Sequence, residues 1–391
     1  MARVVAGMDA GKEFHWLAVV DEGGGTLLSR KVYNTEEDVT LAISEVESLS
    51  GDRLWAVDIP GGVASLALAL LWEHGEQVVF VPGITVDRAR ATYRGESKTD
   101  AKDAYVIADQ ARMRHDLSEL RPDGDVLAEL ALLVSHRRDL VQNQTRAIAR
   151  IRQALVGLFP GLERVLEFKN KGALVLVARY QTPRQIRRAG VKRIESYLRA
   201  QGVRSASDLA AKAVAAAKAQ SVRLPAEEVA SSIVADIAQE LTSLKARIAR
   251  VDEDLETRFF SHPQAKILAS LPGMGSLLGA EFLVEVASLA AFDSPDKLAA
   301  YAGLVPRLRD SGKRVGNLQR MRGGNKALKR VFYQAAFASL KNPESRAFYD
   351  RKRSEGKRHH QALLALARRR VNVLWAMLRD ESTFKENSVA A

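Results

Sequence analysis

The chain of 391 residues contains no cysteine. Disulfides, zinc–thiolate centres and cysteine nucleophiles are thereby excluded, and a reducing cytosol suits such a chain. Long apolar runs are also missing. None approaches the ~18 residues needed to span a bilayer, and Leu66–Trp72 falls well short. The start, Met1 to Gly7, reads as a short strand rather than a signal peptide. Aromatic residues make up only 6% of the chain, which suits gripping a nucleic-acid backbone better than stacking on bases. Acidic residues are outnumbered, with 47 Asp and Glu against 59 Lys and Arg, for a formal charge of +12. A soluble chain this basic favours a polyanionic partner, nucleic acid before an anionic membrane surface. What is abundant is apolar residue content, 47%, enough for real cores, and the length suggests two or three domains.

The first hundred residues alternate in a readable way. Arg3 to Met8 is a valine-rich run predicting a buried strand that ends at Asp9. Phe14 to Val20 predicts a second strand, Gly23-Gly24-Gly25 a hairpin turn, and Thr26 to Val32 a third strand. Val39, Ile43 and Val46 have helical spacing, Leu54 to Val57 predicts a strand ending at Asp58, a helix follows over Val63 to His74, and Gln77 to Val81 is strand-like. The fold class expected is a mixed α/β sheet with helices packed on it. Ligand sites in such sheets gather at the carboxyl ends of strands, where Asp9 and Asp58 both fall. Either aspartate alone reads as a turn residue. Ser97-Lys98-Thr99-Asp100-Ala101-Lys102-Asp103-Ala104 adds two more carboxylates, three residues apart on one helix face. Carboxylates so crowded repel unless a cation lies between them. The four together read as a cluster for a hard divalent metal.

The remainder is helical and basic. Val126 to Leu158 carries Arg137, Arg138, Arg146, Arg150 and Arg152, a nucleic-acid contact or a solvated helix face. Residues 160–225 reveal no chemistry. From Ile233 to Phe259 apolar residues recur at near-heptad spacing, predicting either a coiled coil and self-association, or a long helix folded back on its own chain. Leu271-Pro272-Gly273-Met274-Gly275 leads into an apolar helix and resembles a helix-hairpin-helix turn, where Gly273 and Gly275 would let backbone N–H groups approach a DNA phosphate. Arg307, Arg309, Lys313, Arg314, Arg320, Arg322 and Lys326 follow against a single acid, Asp310, a density of charge that suits a phosphate backbone. Ser311 sits within that segment and by itself reads as a turn serine.

These motifs, in this order, resemble the DEDD-type transposases of the insertion-sequence one-ten group, relatives of the Piv-type DNA invertases. The N-terminal part, from Gly7-Met8-Asp9 through Asp103, is similar to the family's RuvC-like (ribonuclease-H-like) domain. Leu271-Pro272-Gly273-Met274-Gly275, Leu298 to Pro306 and Asp310-Ser311-Gly312 resemble its second domain. The family's second acid is usually glutamate, where this chain has Asp58. The resemblance implies a RuvC-like catalytic domain at 1–158, a helical or coiled-coil region at 159–262 and a mostly α C-terminal transposase domain at 263–391. It implies recombination of donor and target DNA by a cytoplasmic homo-oligomer, dimer to tetramer, guided by an element-encoded bridge RNA. Asp9, Asp58, Asp100 and Asp103 would hold magnesium, with manganese able to substitute, and Ser311 would become covalently joined to DNA. The alternative is a RuvC-like structure-specific endonuclease that uses only the acidic site.

Overall fold

The structure, a computed structural model, describes residues 3–90, 92–93, 99–114, 117–120, 125–286, 289, 292–308, 318–319, 321 and 323–385. The chain divides into two compact units, Met1–Gly124 and Asp125–Ala391.

The first unit is built on a six-stranded sheet in the order β3-β2-β1-β4-β5-β6. Its strands are β1 (Arg3–Asp9), β2 (Phe14–Val20), β3 (Thr26–Tyr33), β4 (Asp52–Val57), β5 (Val78–Phe80) and β6 (Ser118–Leu120). The β1–β2 and β2–β3 pairs are antiparallel, the second as the glycine turn at 23–25 predicts. From β1 to β4 to β5 the pairing is parallel, and β6 closes the far edge antiparallel. Helices α1 (Glu36–Glu47), α2 (Ser65–Glu73), α3 (Gly83–Arg90) and α4 (Asp100–Met113) complete the unit.

The period-2 alternation of β1 sorts its side chains between two cores. Val4, Ala6 and Met8 pack with Val39, Ile43 and Val46 of α1 and Leu68 and Leu71 of α2. Val5 packs on the other face with Val106, Ile107 and Ala111 of α4. Buried on both faces, β1 has to be apolar throughout, which is why it reads as an unbroken run. Gly7 decides how close α4 comes. A Cβ there would stand 2.4 Å from both the Ala104 carbonyl oxygen and the Ala108 nitrogen. Only a residue without a side chain lets α4 cross β1 at that depth.

The second unit is helical. Its elements are α5 (Asp125–Leu158), α6 (Pro160–Val165), α7 (Lys171–Arg179), α8 (Pro183–Ala200), α9 (Ala206–Lys218), α10 (Glu227–Ser261), α11 (Ala265–Ser270), α12 (Ser276–Val286), α13 (Pro295–Tyr301), α14 (Lys326–Ala338), α15 (Pro343–Ser354) and α16 (His359–Arg379), with a two-stranded ribbon β7 (Arg307–Leu308) and β8 (Leu318–Gln319). Helices α5 and α10 run antiparallel, as the ion pairs Arg258–Glu129 (3.1 Å), Arg137–Asp252 and Arg150–Glu240 (3.2 Å) require. One end of this pair is buried among α6 to α9, and the other among α11 to α14 and α16.

The heptad-like seam of α10 is therefore filled from within the chain. Ile237, Leu241, Leu244, Val251, Leu255 and Phe259 are buried, while Ile233 is exposed. Of the two expectations for this helix, the folded-back one describes what the seam packs against, so the seam lends no support to self-association. By its contacts helix α5 packs within the second unit, which begins at Asp125.

Candidate functional site

Strands β1 and β4 lie side by side and parallel, with Met8 opposite Val57. The next residues are Asp9 and Asp58, so both aspartates emerge at the same carboxyl edge from neighbouring strands. The Ala10 N–H donates to Asp58 Oδ1 at 3.4 Å and ties the two strand ends together. Burial pushes the Asp58 carboxyl above its ordinary range, the Ala10 and Asp58 backbone N–H groups pull it back, and the charge of Asp103 raises it further. Helix α4 crosses β1 over Gly7 at Ala104, the residue after Asp103. Asp103 itself is 6% exposed.

The start of α4 is fixed by Thr99, whose side chain accepts the Lys102 N–H at 3.3 Å. Asp100 opens the helix in an exposed position, one turn before Asp103. Asp103 is held by Arg90, at the end of α3, in a two-pronged pair: Nε to Oδ1 at 2.6 Å and Nη2 to Oδ2 at 2.9 Å. Arg90 also reaches Asp87 at 3.2 Å. Nothing local in the sequence marks Arg90, thirteen residues from its partner.

The fold thus sets Asp9 and Asp58 at one edge of the sheet, with Asp103 on the helix that crosses β1. An all-carboxylate donor set suits a hard divalent cation. Among the described residues, however, no group of three or more His, Asp or Glu side chains is arranged to hold a metal ion. The positive charge beside Asp103 is a guanidinium, in the role a cation would take. The donors fit such an ion in kind, and Arg90 must give up Asp103 for that carboxylate to join in holding one.

Two more residues that the sequence reading missed brace this edge. His15, on β2, is fully buried, and its Nδ1 accepts the Gly11 N–H at 3.2 Å. The ring proton then resides on Nε2. Burial lowers the pKa of His15, against a smaller upward pull from the Asn34 side chain. Asn34 donates Nδ2 to the Lys12 carbonyl at 3.4 Å and to the Val63 carbonyl at 3.2 Å. Together they join the loop after Asp9 to the loop after Asp58. The signal in the sequence was a histidine inside an otherwise apolar strand, which costs stability unless it is hydrogen-bonded.

The residues expected to meet nucleic acid fall into several situations. Ser311, Arg309, Lys313, Arg314, Arg320 and Arg322 lie outside the described residues, as do Ser97 and Lys98. Arg307 begins β7, and Lys326 begins α14 with an exposed side chain. Asn325, just before α14, is held by hydrogen bonds. Its backbone N–H donates to the Tyr301 carbonyl at 2.7 Å, its Oδ1 caps α14 through Leu328 N, and its Nδ2 donates to Glu285 at 2.7 Å. Of the arginines on α5, Arg137, Arg138 and Arg152 face carboxylates of their own chain. Arg146 is exposed, and Arg150 is 60% exposed even with Glu240 beside it.

The two glycines of the Pro-Gly-x-Gly turn differ. Gly273 has φ +80°, and a Cβ on it would stand 2.5 Å from the Ala335 carbonyl and 2.8 Å from Ser339 N. It faces the end of α14, so its smallness serves packing. Gly275 is exposed with open space around it, at the mouth of α12. Only Gly275 is placed where a phosphate has room.

The comparisons with known proteins say which class of protein is built this way. Residues 6–160 match a family described as a transposase of the DEDD, IS110 type, and residues 265–350 match the transposase IS116/IS110/IS902 family. The chain is 47% identical over 384 residues to an uncharacterized 44.8 kDa protein of insertion element IS116 from Streptomyces clavuligerus, spanning 98% of this chain and 96% of that one. It is 46% identical to an uncharacterized 42 kDa protein of insertion element IS900 from Mycobacterium paratuberculosis, over 99% of this chain and 98% of the other. A pilin gene-inverting protein of Moraxella bovis is 30% identical over 124 residues, 31% of this chain and 38% of that protein. The chain belongs to the IS110/IS116 family of insertion-sequence transposases, enzymes of DNA recombination. Among the described residues no helix is long and apolar enough to cross a membrane.

Proposed function

We propose that the protein cuts and rejoins DNA at the ends of an insertion element through a covalent serine–DNA intermediate. Ser311 is the nucleophile, and Asp9, Asp58, Asp100 and Asp103 hold magnesium or, in its place, manganese. The observation that carries the reading is the parallel pairing of β1 and β4, which sets the half-buried Asp58 next to Asp9 at one carboxyl edge. A divalent ion bound there supplies charge stabilisation at the phosphate oxygens. In the cleavage step the Ser311 oxygen bonds to phosphorus as the bond to the departing strand breaks. The hydroxyl proton passes to a base, and the departing oxygen gains one. Attack by a new strand end reverses the step, and the phosphodiester energy is kept without ATP.

The partners proposed are donor and target DNA, an element-encoded guide RNA, and further copies of the chain up to a tetramer, working in the cytoplasm on the nucleoid. The net charge of +12 supports the nucleic acids, and the family resemblance supports the RNA and the assembly. A guide that reads sequence by pairing leaves the protein to grip backbone and shape.

A two-plasmid recombination assay with the RNA of the element's flanks tests this. Ser311→Ala should abolish strand exchange while DNA and RNA binding persist. Asp58→Asn and Asp103→Asn should lose metal-dependent cleavage with the fold intact. Normal recombination by Ser311→Ala removes the serine from the mechanism. Metal-dependent cleavage that Ser311→Ala leaves intact favours the endonuclease alternative.

A further inference from the structure

Away from the acids, α14, α15 and the start of α16 bring five rings together on one surface of the second unit. Tyr333 stacks on His360 at 6.2 Å between centroids. His360 adjoins His359 at 5.3 Å, and His359 meets Tyr349 at 5.8 Å and Phe337 at 6.5 Å. Hydrogen bonds hold the two imidazoles in place: Tyr333 Oη to His360 Nδ1 at 2.7 Å, and Tyr349 Oη to His359 Nδ1 at 2.8 Å. The rings are not core. Phe337 is 58% exposed, and both histidines are exposed. Tyr333 and Tyr349 are half-buried beneath them.

The rim is basic. Arg346 lies 6.0 Å from the Tyr349 ring, and Lys357 and Arg358 lead directly into His359. Arg353 is exposed and reaches the Lys357 carbonyl at 2.7 Å. The acids nearby are already engaged, Asp350 by Arg346 at 2.8 Å and Glu355 by Lys352 at 2.8 Å. Exposed rings bordered by cations match a ligand with flat faces and a negative backbone.

We propose that this face binds single-stranded DNA, with unpaired bases stacked on Phe337 and His359 and phosphates held by the basic rim. Duplex bases are already stacked and offer no face to these rings. The family exchanges DNA strands, which have to be unpaired in passing, and stacking requires no 2′-hydroxyl. The inference rests on family membership and on this surface, and is independent of the acidic edge and of Ser311.

The test is fluorescence anisotropy with the full-length protein in EDTA, using a labelled oligothymidylate, a duplex of the same length and an oligouridylate. Phe337→Leu keeps apolar bulk and loses the π-face, and at an exposed position it should leave the melting temperature unchanged. It and His359→Ala should each weaken oligothymidylate binding roughly fivefold or more, the lower end of a lost base–ring stack. Duplex affinity should hold, and Phe337→Tyr should bind like the parent. The proposal is overturned by unchanged oligothymidylate affinity, by an equal loss on duplex, by Leu and Tyr variants that behave alike, or by a loss confined to oligouridylate.

Discussion

Arg90→Met tests whether a guanidinium guards the acidic edge. In the parent, Asp103 and Arg90 share a two-pronged pair with side-chain exposures of 8% and 21%. Removing one partner of a fully buried pair costs roughly 3–5 kcal/mol, because a charge is left without compensation. Arg90 is a fifth exposed and also touches Asp87, so solvent screening lowers the expected cost to about 2 kcal/mol. Three of the four tryptophans, Trp16, Trp55 and Trp72, lie in the first unit, so fluorescence during urea unfolding mainly follows that unit. In EDTA the variant should unfold at lower urea than the parent. Magnesium then acts in the opposite direction. An ion that binds only the folded state at a hundred times its Kd adds about 2.7 kcal/mol. The variant, with Asp103 released, should gain more from magnesium than the parent does, and Arg90→Met combined with Asp103→Asn should lose that extra gain. Equal stability of variant and parent in EDTA would show that the pair contributes nothing. Equal magnesium responses would show that Arg90 does not compete with the ion.

Other substitutions probe the supports of the same edge and of the second unit. Gly7→Ala should push α4 away from β1 and destabilise the first unit by about 2 kcal/mol or more, since its Cβ meets backbone atoms that cannot yield cheaply; an unchanged urea midpoint would refute the close crossing. Asn34→Ala should raise the magnesium concentration needed for half-maximal cleavage, with secondary structure by circular dichroism unchanged, because the loops after Asp9 and Asp58 lose their common tie. For Asp58 the sign follows from its raised pKa. The folded state binds the proton more tightly than the unfolded chain, so the stabilising contribution is present below the unfolded pKa and is lost as pH rises through the folded one. Asp58→Asn in EDTA should therefore melt higher than the parent near neutrality, with the gap closing as pH falls. Gly273→Ala combines a left-handed backbone with contact at 2.5 Å and should lower the melting temperature, whereas Gly275→Ala should leave it unchanged and weaken DNA binding if a phosphate docks there.

The centre of the sheet is legible in the sequence because strands β1 and β4 are buried on both faces and bounded by turn residues. Arg3–Asp9 and Asp52–Val57 stand out for that reason, as do the two aspartates that follow from their ends. Strand β6 does not, being three residues at an edge, Ser118-Glu119-Leu120, with one apolar side chain. A helical period shows that α10 has a buried stripe but cannot say which helix fills it. The Pro-Gly-x-Gly turn is also legible as a turn, yet the direction each glycine faces depends on α14, some sixty residues further on. Arg90, His15 and Asn34 are legible only in three dimensions, because their meaning lies in partners brought near by the sheet and by the crossing at Gly7. Charge counting misleads in one respect. Several arginines that read as a nucleic-acid surface serve the chain's own carboxylates, as at Arg137–Asp252 and Arg330–Glu281.

The covalent step is the most direct test of the proposed chemistry. The protein is incubated with magnesium, the RNA of its element's flanks and end-labelled junction DNA, then denatured and resolved for label that travels with the protein. The expected result is a labelled adduct that vanishes in Ser311→Ala and in EDTA. Cleaved DNA with no label on the protein would contradict the serine mechanism and assign the cutting to the acidic edge alone.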